Sequence, residues 1–280
     1  MLELLRDLSR PEMGFLRYAM LLGVLLAPVL GVTGTMVVTR RISSLAGASA
    51  HAALGGIGLA LYLQRVLMWE FCTPGVGAVV GALAAALIVG VVSLSASERE
   101  DTVIGVVWAL GMALGLLFLD RTPGYVDWQG YLFGNILLIS PTELMLAIAL
   151  DALVLVPLAF FYNRLLAVSF DATFARLRGV RTTTIYLVLL AETALVIVLL
   201  MNVVGIILVI AMLTLPAAIA GFFTRHLWSM MVLSGVLSAV FIVFGLMVSY
   251  LCRVPSGPAI VVSAGAVYLT VLLLRRRSRG

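Results

Sequence analysis

The chain is cut into apolar runs of about 20 residues, each long enough to cross the roughly 30 Å hydrocarbon core of a bilayer as a helix. Nine runs can be read, at approximately 15–39, 43–63, 75–95, 102–119, 142–162, 182–201, 203–222, 228–250 and 257–274. Lipid offers the backbone no hydrogen bonds, so a segment of this length must satisfy its own N–H and C=O groups, and a helix does so. The predicted fold class is therefore an all-α integral membrane protein, a polytopic bundle of about nine transmembrane helices forming a single domain over residues 1–280. Composition agrees: 63% of residues are hydrophobic and 11% charged, where a soluble domain carries about a quarter charged residues. The tightest boundary lies between the sixth and seventh runs. Only Met201 and Asn202 are available there for a turn, with Gly205 to break the helix.

The arginines orient the bundle. With nine spans and the N-terminus outside, the inner loops and C-terminus hold Arg40, Arg41, Arg99, Arg164, Arg176, Arg178, Arg181, Arg225, Arg275, Arg276, Arg277 and Arg279, and the outer side holds Arg6, Arg10, Arg17, Arg65, Arg121 and Arg253. Twelve against six accounts for all 18 basic residues and favours N-out and C-in by the positive-inside rule. The net charge of +5 thus marks cytoplasmic flanks, not a nucleic-acid surface, because the arginines gather at helix ends. There is no lysine anywhere. A P-loop needs its lysine to reach nucleotide phosphates, so a standard ATPase site is excluded and any ATP must be bound by a partner. No cleavable signal peptide is expected. Residues 1–12 instead alternate leucines with Glu3, Arg6, Asp7 and Arg10, the pattern of a short interfacial amphipathic helix. Two cysteines, Cys72 and Cys252, exclude a disulfide framework and a Cys-rich metal site.

Two stretches between spans stand out. Residues 120–141 carry Tyr125, Trp128, Tyr131 and Phe133 with Gly130, Gly134 and Asn135, which suits a short helix or re-entrant turn at the outer interface. Residues 163–181 are the most basic loop. Within it, 170–179 reads as a short cytoplasmic helix with Asp171 near its start and Gly179 at its end, and composition alone equally fits an ordinary positive-inside loop. Gly77-x-x-x-Gly81 and Gly111-x-x-x-Gly115 permit close helix approach, within the bundle or in a dimer. Pro28, Pro157 and Pro216 lie inside spans and predict kinks or broken helices.

Ionisable groups inside the membrane cost about 2.5–3.5 kcal/mol each and need a reason to be there. His51 lies ten residues past Arg41, Glu192 eleven past Arg181 and Asp151 ten past Pro141. At about 1.5 Å per residue each sits some 15 Å deep, near the midplane. An imidazole and two carboxylates at one depth can hold a divalent cation or relay protons, and each carboxylate can equally be a hydrogen-bonded structural group. His51 is set in the run Gly47-Ala48-Ser49-Ala50-His51-Ala52-Ala53-Leu54-Gly55-Gly56-Ile57-Gly58, whose small side chains let backbones or an ion approach the ring. His226 reads as a helix flank. No Ser-His-Asp, HExxH or EF-hand pattern is present, and the chain is not expected to be an enzyme.

Several segments together resemble the permease subunit of the zinc/manganese/iron ABC importers. They are Val38-Thr39-Arg40-Arg41-Ile42-Ser43 leading into the His51 helix, Asp101-Thr102-Val103-Ile104-Gly105-Val106-Val107, Tyr131-Leu132-Phe133-Gly134-Asn135-Ile136-Leu137, Asn202-Val203-Val204-Gly205 before Leu213-Thr214-Leu215-Pro216-Ala217-Ala218, and Pro255-Ser256-Gly257-Pro258. The resemblance implies a permease in the bacterial inner membrane that works as a homodimer or pair. It implies a cytoplasmic ATPase that binds the ATP, an extracytoplasmic metal-binding protein, and a divalent metal as cargo with no permanently bound cofactor. It also implies that 163–181 is the coupling loop, with Asp171, Phe174, Leu177 and Gly179 at the ATPase contact. One departure is evident. The family's second helix resembles Asp-x-x-Ser-His-Ala-x-x-Pro-Gly, whereas Gly47, Ala50 and Gly55 stand at the Asp, Ser and Pro positions here. A carboxylate one turn before His51 is thus missing, and restoring it at position 47 is expected to tighten metal binding. The expected metal contacts are His51, Glu192 and Asp151, the two carboxylates on depth alone. Two other cargo mechanisms stay open: an ABC permease for a metal chelate or other small molecule, and a stand-alone proton-coupled transporter using Glu192 and Asp151.

Overall fold

The computed structural model describes residues 14–95, 100–124, 126, 128–134 and 141–277. The amphipathic segment expected at 1–12, and Tyr125 and Asn135 of the aromatic stretch, lie outside them. Among the described residues all regular secondary structure is helical: α1 Gly14–Leu25, α2 Ala27–Thr39, α3 Ser43–Val66, α4 Pro74–Ser95, α5 Glu100–Arg121, α6 Trp128–Phe133, α7 Pro141–Phe170, α8 Ala172–Leu177, α9 Thr182–Val204, α10 Ile206–Phe223, α11 Leu227–Cys252 and α12 Ser256–Arg277. Eight of these helices are long and apolar enough to span a bilayer, and counting the bent pair α1–α2 as one span brings the number to nine. The polytopic all-α reading holds.

Three boundaries differ in instructive ways. The first span is broken at Leu26 and bent by 43°. Pro28 has no N–H, and its ring crowds the carbonyl four residues back, so the helix cannot run straight through this point. Pro157 and Pro216, by contrast, sit inside unbroken helices. The fifth span does not end at 162 but continues as helix to Phe170. Its extension carries Leu165 and Val168, both buried, so the continued helix keeps apolar surface covered. The turn expected at Met201 and Asn202 is helical, and α9 stops only at Gly205. Gly205 adopts φ 84 and ψ 157, a conformation that L side chains avoid and glycine enters freely.

The chain forms two compact units, one of Met1–Val38, Phe133–Phe160 and Val203–Gly280, the other of Thr39–Leu132 and Phe161–Asn202. In the first, α2 is enclosed almost all round, every residue from Ala27 to Val37 except Pro28 being buried. It is held by backbone proximity: a Cβ on Gly31 would stand 2.6 Å from the Met231 carbonyl of α11, and one on Gly34 would stand 2.6 Å from the Leu213 carbonyl of α10. Farther along, Gly245 of α11 lies against Ile260 of α12, and Phe222 stacks on Tyr268 at 6.1 Å.

The second unit is organised around α3, the most enclosed of the spanning helices, and α5 is the least. The glycine pairs expected to mediate close approach do so inside this unit. On one side of α3, Ala52, Gly56 and Ala60 meet Gly77 and Gly81 of α4, and on another Ala52, Gly55 and Gly58 meet Gly111 and Gly115 of α5. A Cβ on Gly55 would stand 2.7 Å from the Gly111 carbonyl. In lipid there is no hydrophobic drive between helices, so such small-residue contacts, which let backbones come together, supply the van der Waals attraction that holds them. The outward faces carry large apolar side chains such as Leu117 and Leu87, as a lipid-facing surface requires.

Candidate translocation site

The Gly-Ala composition of α3 decides what surrounds His51. Because Gly111 has no side chain, the α5 backbone settles against the His51–Ala52 peptide, where a Cβ on Gly111 would be 2.7 Å from the Ala52 Cα. Trp108 is one turn before Gly111 and so shares its face of α5. Its indole is thereby laid on the imidazole, ring centroids 4.9 Å apart and planes at 24°. His51 is half-buried, and its Nδ1 is buried without a hydrogen-bond partner. An imidazole held by stacking, with a ring nitrogen left unpaired, is oriented by packing and has a lone pair or N–H still to satisfy.

The indole also explains residue 47. A Cβ placed on Gly47 would stand 2.5 Å from Cη2 of Trp108. The space one turn before His51 is therefore filled by an aromatic ring. An aspartate at 47 would meet that ring, so Gly47→Asp adds a ligand only where the indole moves aside. The sequence showed that the carboxylate was missing. What replaced it depends on a residue 61 positions away, and nothing local to α3 points to Trp108.

The two carboxylates have different settings. Asp151, on α7, belongs to the first unit. Its Oδ1 accepts a hydrogen bond from the Val29 N–H at 3.2 Å. That N–H lies in the first turn of α2, just past the break at Leu26, and has no carbonyl four residues back in its own helix, so Asp151 caps the restarted helix as an N-cap side chain would. The signal in the sequence was the proline, which predicts a broken helix but not which group answers the N–H donors where the helix restarts. Glu192, on α9, belongs to the second unit with His51. It is half-buried and forms no hydrogen bond or ion pair among the described residues. Among the described residues, no group of three or more His, Cys, Asp or Glu side chains is placed to hold a metal ion.

At the 163–181 loop the short helix is present. Asp171 Oδ1 accepts from the Phe174 N–H at 2.8 Å and opens α8, and Gly179 takes φ 78 beyond its end. Ala175 faces inward, whereas Phe174 and Leu177 are 52% and 82% exposed, with the Arg178 guanidinium 5.2 Å above the Phe174 ring. Two large apolar side chains raised from a polar loop make a surface suited to a protein partner. His226 stands at the N-cap of α11, and both cysteines are free thiols.

A multi-span helical bundle with a stacked histidine inside a glycine-packed unit defines a polytopic integral membrane protein. Comparison with known proteins makes this particular. The chain matches the ABC 3 transport family over residues 12–275 and belongs to that family. An uncharacterized membrane protein of Synechocystis is 40% identical over 263 residues, covering 94% of this chain and 91% of that one. The manganese transport system membrane protein MntC of Listeria innocua is 32% identical over 262 residues, covering 94% and 91%. Among solved structures, PsaBC from Streptococcus pneumoniae in complex with a Fab superposes with a TM-score of 0.82 at 30% identity, covering 96% of this chain and 95% of that one.

Proposed function

We propose that this chain is the permease of an ATP-driven importer, located in the bacterial inner membrane, that passes a divalent transition metal delivered by an extracytoplasmic binding protein. The observation that carries the reading is family membership over residues 12–275 combined with a midplane histidine whose ring is fixed by Trp108. Relatives named for manganese transport support the cargo class. A separate cytoplasmic ATPase supplies the energy, since a chain without lysine carries no standard P-loop of its own. It docks on α8, with Phe174 and Leu177 as anchors and the Asp171 and Gly179 caps holding the helix in shape. The permease acts as one domain and pairs with a second copy.

In this reading His51 offers an imidazole nitrogen to the passing ion. Glu192, without a described partner, is the carboxylate available to accompany it. Asp151, the third expected contact, serves α2 through Val29. A site short of one hard negative ligand holds an ion weakly, which suits passage more than storage. The indole in place of a carboxylate beside His51 favours a second reading, that the cargo is a metal still carried by an organic chelator, whose flat or apolar parts would pack on Trp108.

The test is uptake by the reconstituted complex. His51→Ala should reduce uptake of zinc or manganese by an order of magnitude or more while the permease still assembles with its ATPase. Normal metal uptake by His51→Ala would remove His51 from the pathway. Uptake of chelated but not free ion by the unmodified complex would select the second reading.

A further inference from the structure

At the arginine-rich end of the second unit lies an open pocket of about 420 Å³ whose walls carry Arg40, Arg41 and Arg176. We propose that this pocket binds a phosphate-bearing anion, presented either by an acidic phospholipid headgroup or by phosphate free in solution. The inference does not depend on which cargo the permease carries.

The charges are fixed in part by the fold. Arg40 donates from Nη1 to the Val168 carbonyl at 2.6 Å, and its guanidinium lies 5.4 Å above the Tyr186 ring. These two contacts hold the side chain across the pocket and leave its remaining donors uncommitted. Arg41 has φ 58, a left-handed backbone that strains a non-glycine residue, and it turns the chain sharply between α2 and α3. No ion pair to Arg40, Arg41 or Arg176 is formed among the described residues. Three guanidinium groups around one concavity repel each other, and an anion between them relieves that repulsion.

Hydroxyl groups complete the lining. Tyr186 donates to Ser93 Oγ at 3.3 Å, which fixes that pair. Thr182 lines the pocket with only 7% of its surface exposed, and its hydroxyl has no hydrogen-bond partner among the described residues. The residue is packed but its hydroxyl oxygen stays accessible, and the side open to it is the pocket. Two long helices also begin at this wall. Thr182 and Thr183 form the first turn of α9, and Ile42 stands at the N-cap of α3 with no side-chain cap, so backbone N–H groups and the positive ends of both helix dipoles add to the field.

Guanidinium forks, hydroxyls and free amide donors are the groups that recognise phosphate oxygens. The volume lies within the range of small-ligand sites, about 300–1,000 Å³, and exceeds what a single carboxylate fills. Ile42, Leu94 and Val168 add an apolar rim. A glycerophosphate headgroup with the start of its acyl chains matches that combination. The position favours it too, since this end of the unit is where the spans leave the hydrocarbon.

The experiment uses the full chain in phosphatidylcholine nanodiscs, with and without a minor fraction of phosphatidylglycerol. Native mass spectrometry reads the retained lipid, and thermal unfolding reads the response to inorganic phosphate. Retention of phosphatidylglycerol, lost roughly tenfold or more in both Arg41→Gln and Arg176→Gln, supports a headgroup site. Stabilisation by inorganic phosphate without lipid enrichment, equally lost in those variants, supports a solution anion. Both side chains are exposed, so neither variant threatens the fold. The proposal is overturned if neither probe binds, or if binding is unchanged in the variants. It is also overturned if neither probe binds and the ATPase subunit shields Arg41 from an arginine-modifying reagent, since the pocket is then a protein contact.

Discussion

Asp151→Ala separates a structural carboxylate from a transporting one. The break at Leu26 leaves the Val29 N–H without an acceptor in its own helix, and Asp151 Oδ1 takes that place at 3.2 Å. Removing the carboxylate leaves a backbone donor in an apolar surrounding with nothing to bind, a loss of about 1–3 kcal/mol for a buried unsatisfied group. N-cap replacements by alanine in soluble helices cost about 0.5–2 kcal/mol, and side-chain hydrogen bonds within membrane bundles average only about 0.6. The bond is long and part-buried, so a loss of about 1–2 kcal/mol is the expected value. Asp151→Asn keeps a carbonyl oxygen and should lose less than about 1 kcal/mol. Reversible unfolding in mixed micelles would measure both, with amide exchange at Val29 as the local reading: fast in Asp151→Ala, slow in Asp151→Asn. Metal uptake by Asp151→Asn should stay near that of the unmodified chain. If Asp151→Asn abolishes uptake while stability and Val29 protection are intact, the negative charge itself serves transport and a purely structural role for Asp151 is refuted.

Three more outcomes can be measured. Gly47→Asp alone should lower the yield of folded protein, by about 1–3 kcal/mol of overpacking against Trp108, and Gly47→Asp with Trp108→Ala should recover folding and bind manganese more tightly in equilibrium dialysis; tight binding by the single variant would show that the indole moves freely. Gly56→Ala should destabilise the second unit by a similar amount, because its methyl would meet the Gly77 carbonyl, whereas Gly75→Ala, with nothing within 4 Å, should be silent; equal melting temperatures would contradict the close helix contact. Phe174→Ala combined with Leu177→Ala should leave the permease folded but cut ATP-dependent uptake at least tenfold and weaken co-purification of the ATPase, and unchanged assembly would make α8 a simple connector.

Much of the architecture was determined by the sequence alone, because the rule that governs it is local. A run of twenty apolar residues in lipid must be helical whatever surrounds it, so eight spans and the bent first one are visible as runs. Capping is equally local: Asp171 and Gly179 bound α8 by their own backbone preferences, and Gly205 ends α9 because only glycine tolerates its φ. Where the local rule weakened, the reading slipped. The expected ends at 162 and 201 were drawn just before Asn163 and Asn202, polar residues that a helix carries without stopping. The site followed a different logic. Depth along a helix placed His51, Glu192 and Asp151 at one level, but depth says nothing about azimuth or neighbours. Only the packed structure decides that an indole from α5 fills the space beside His51, or that Asp151 answers a donor where a helix restarts more than a hundred residues earlier. The indole meets His51 because Gly55, Gly58, Gly111 and Gly115 let the backbones of α3 and α5 come into contact, and such long-range fits are properties of the assembled bundle.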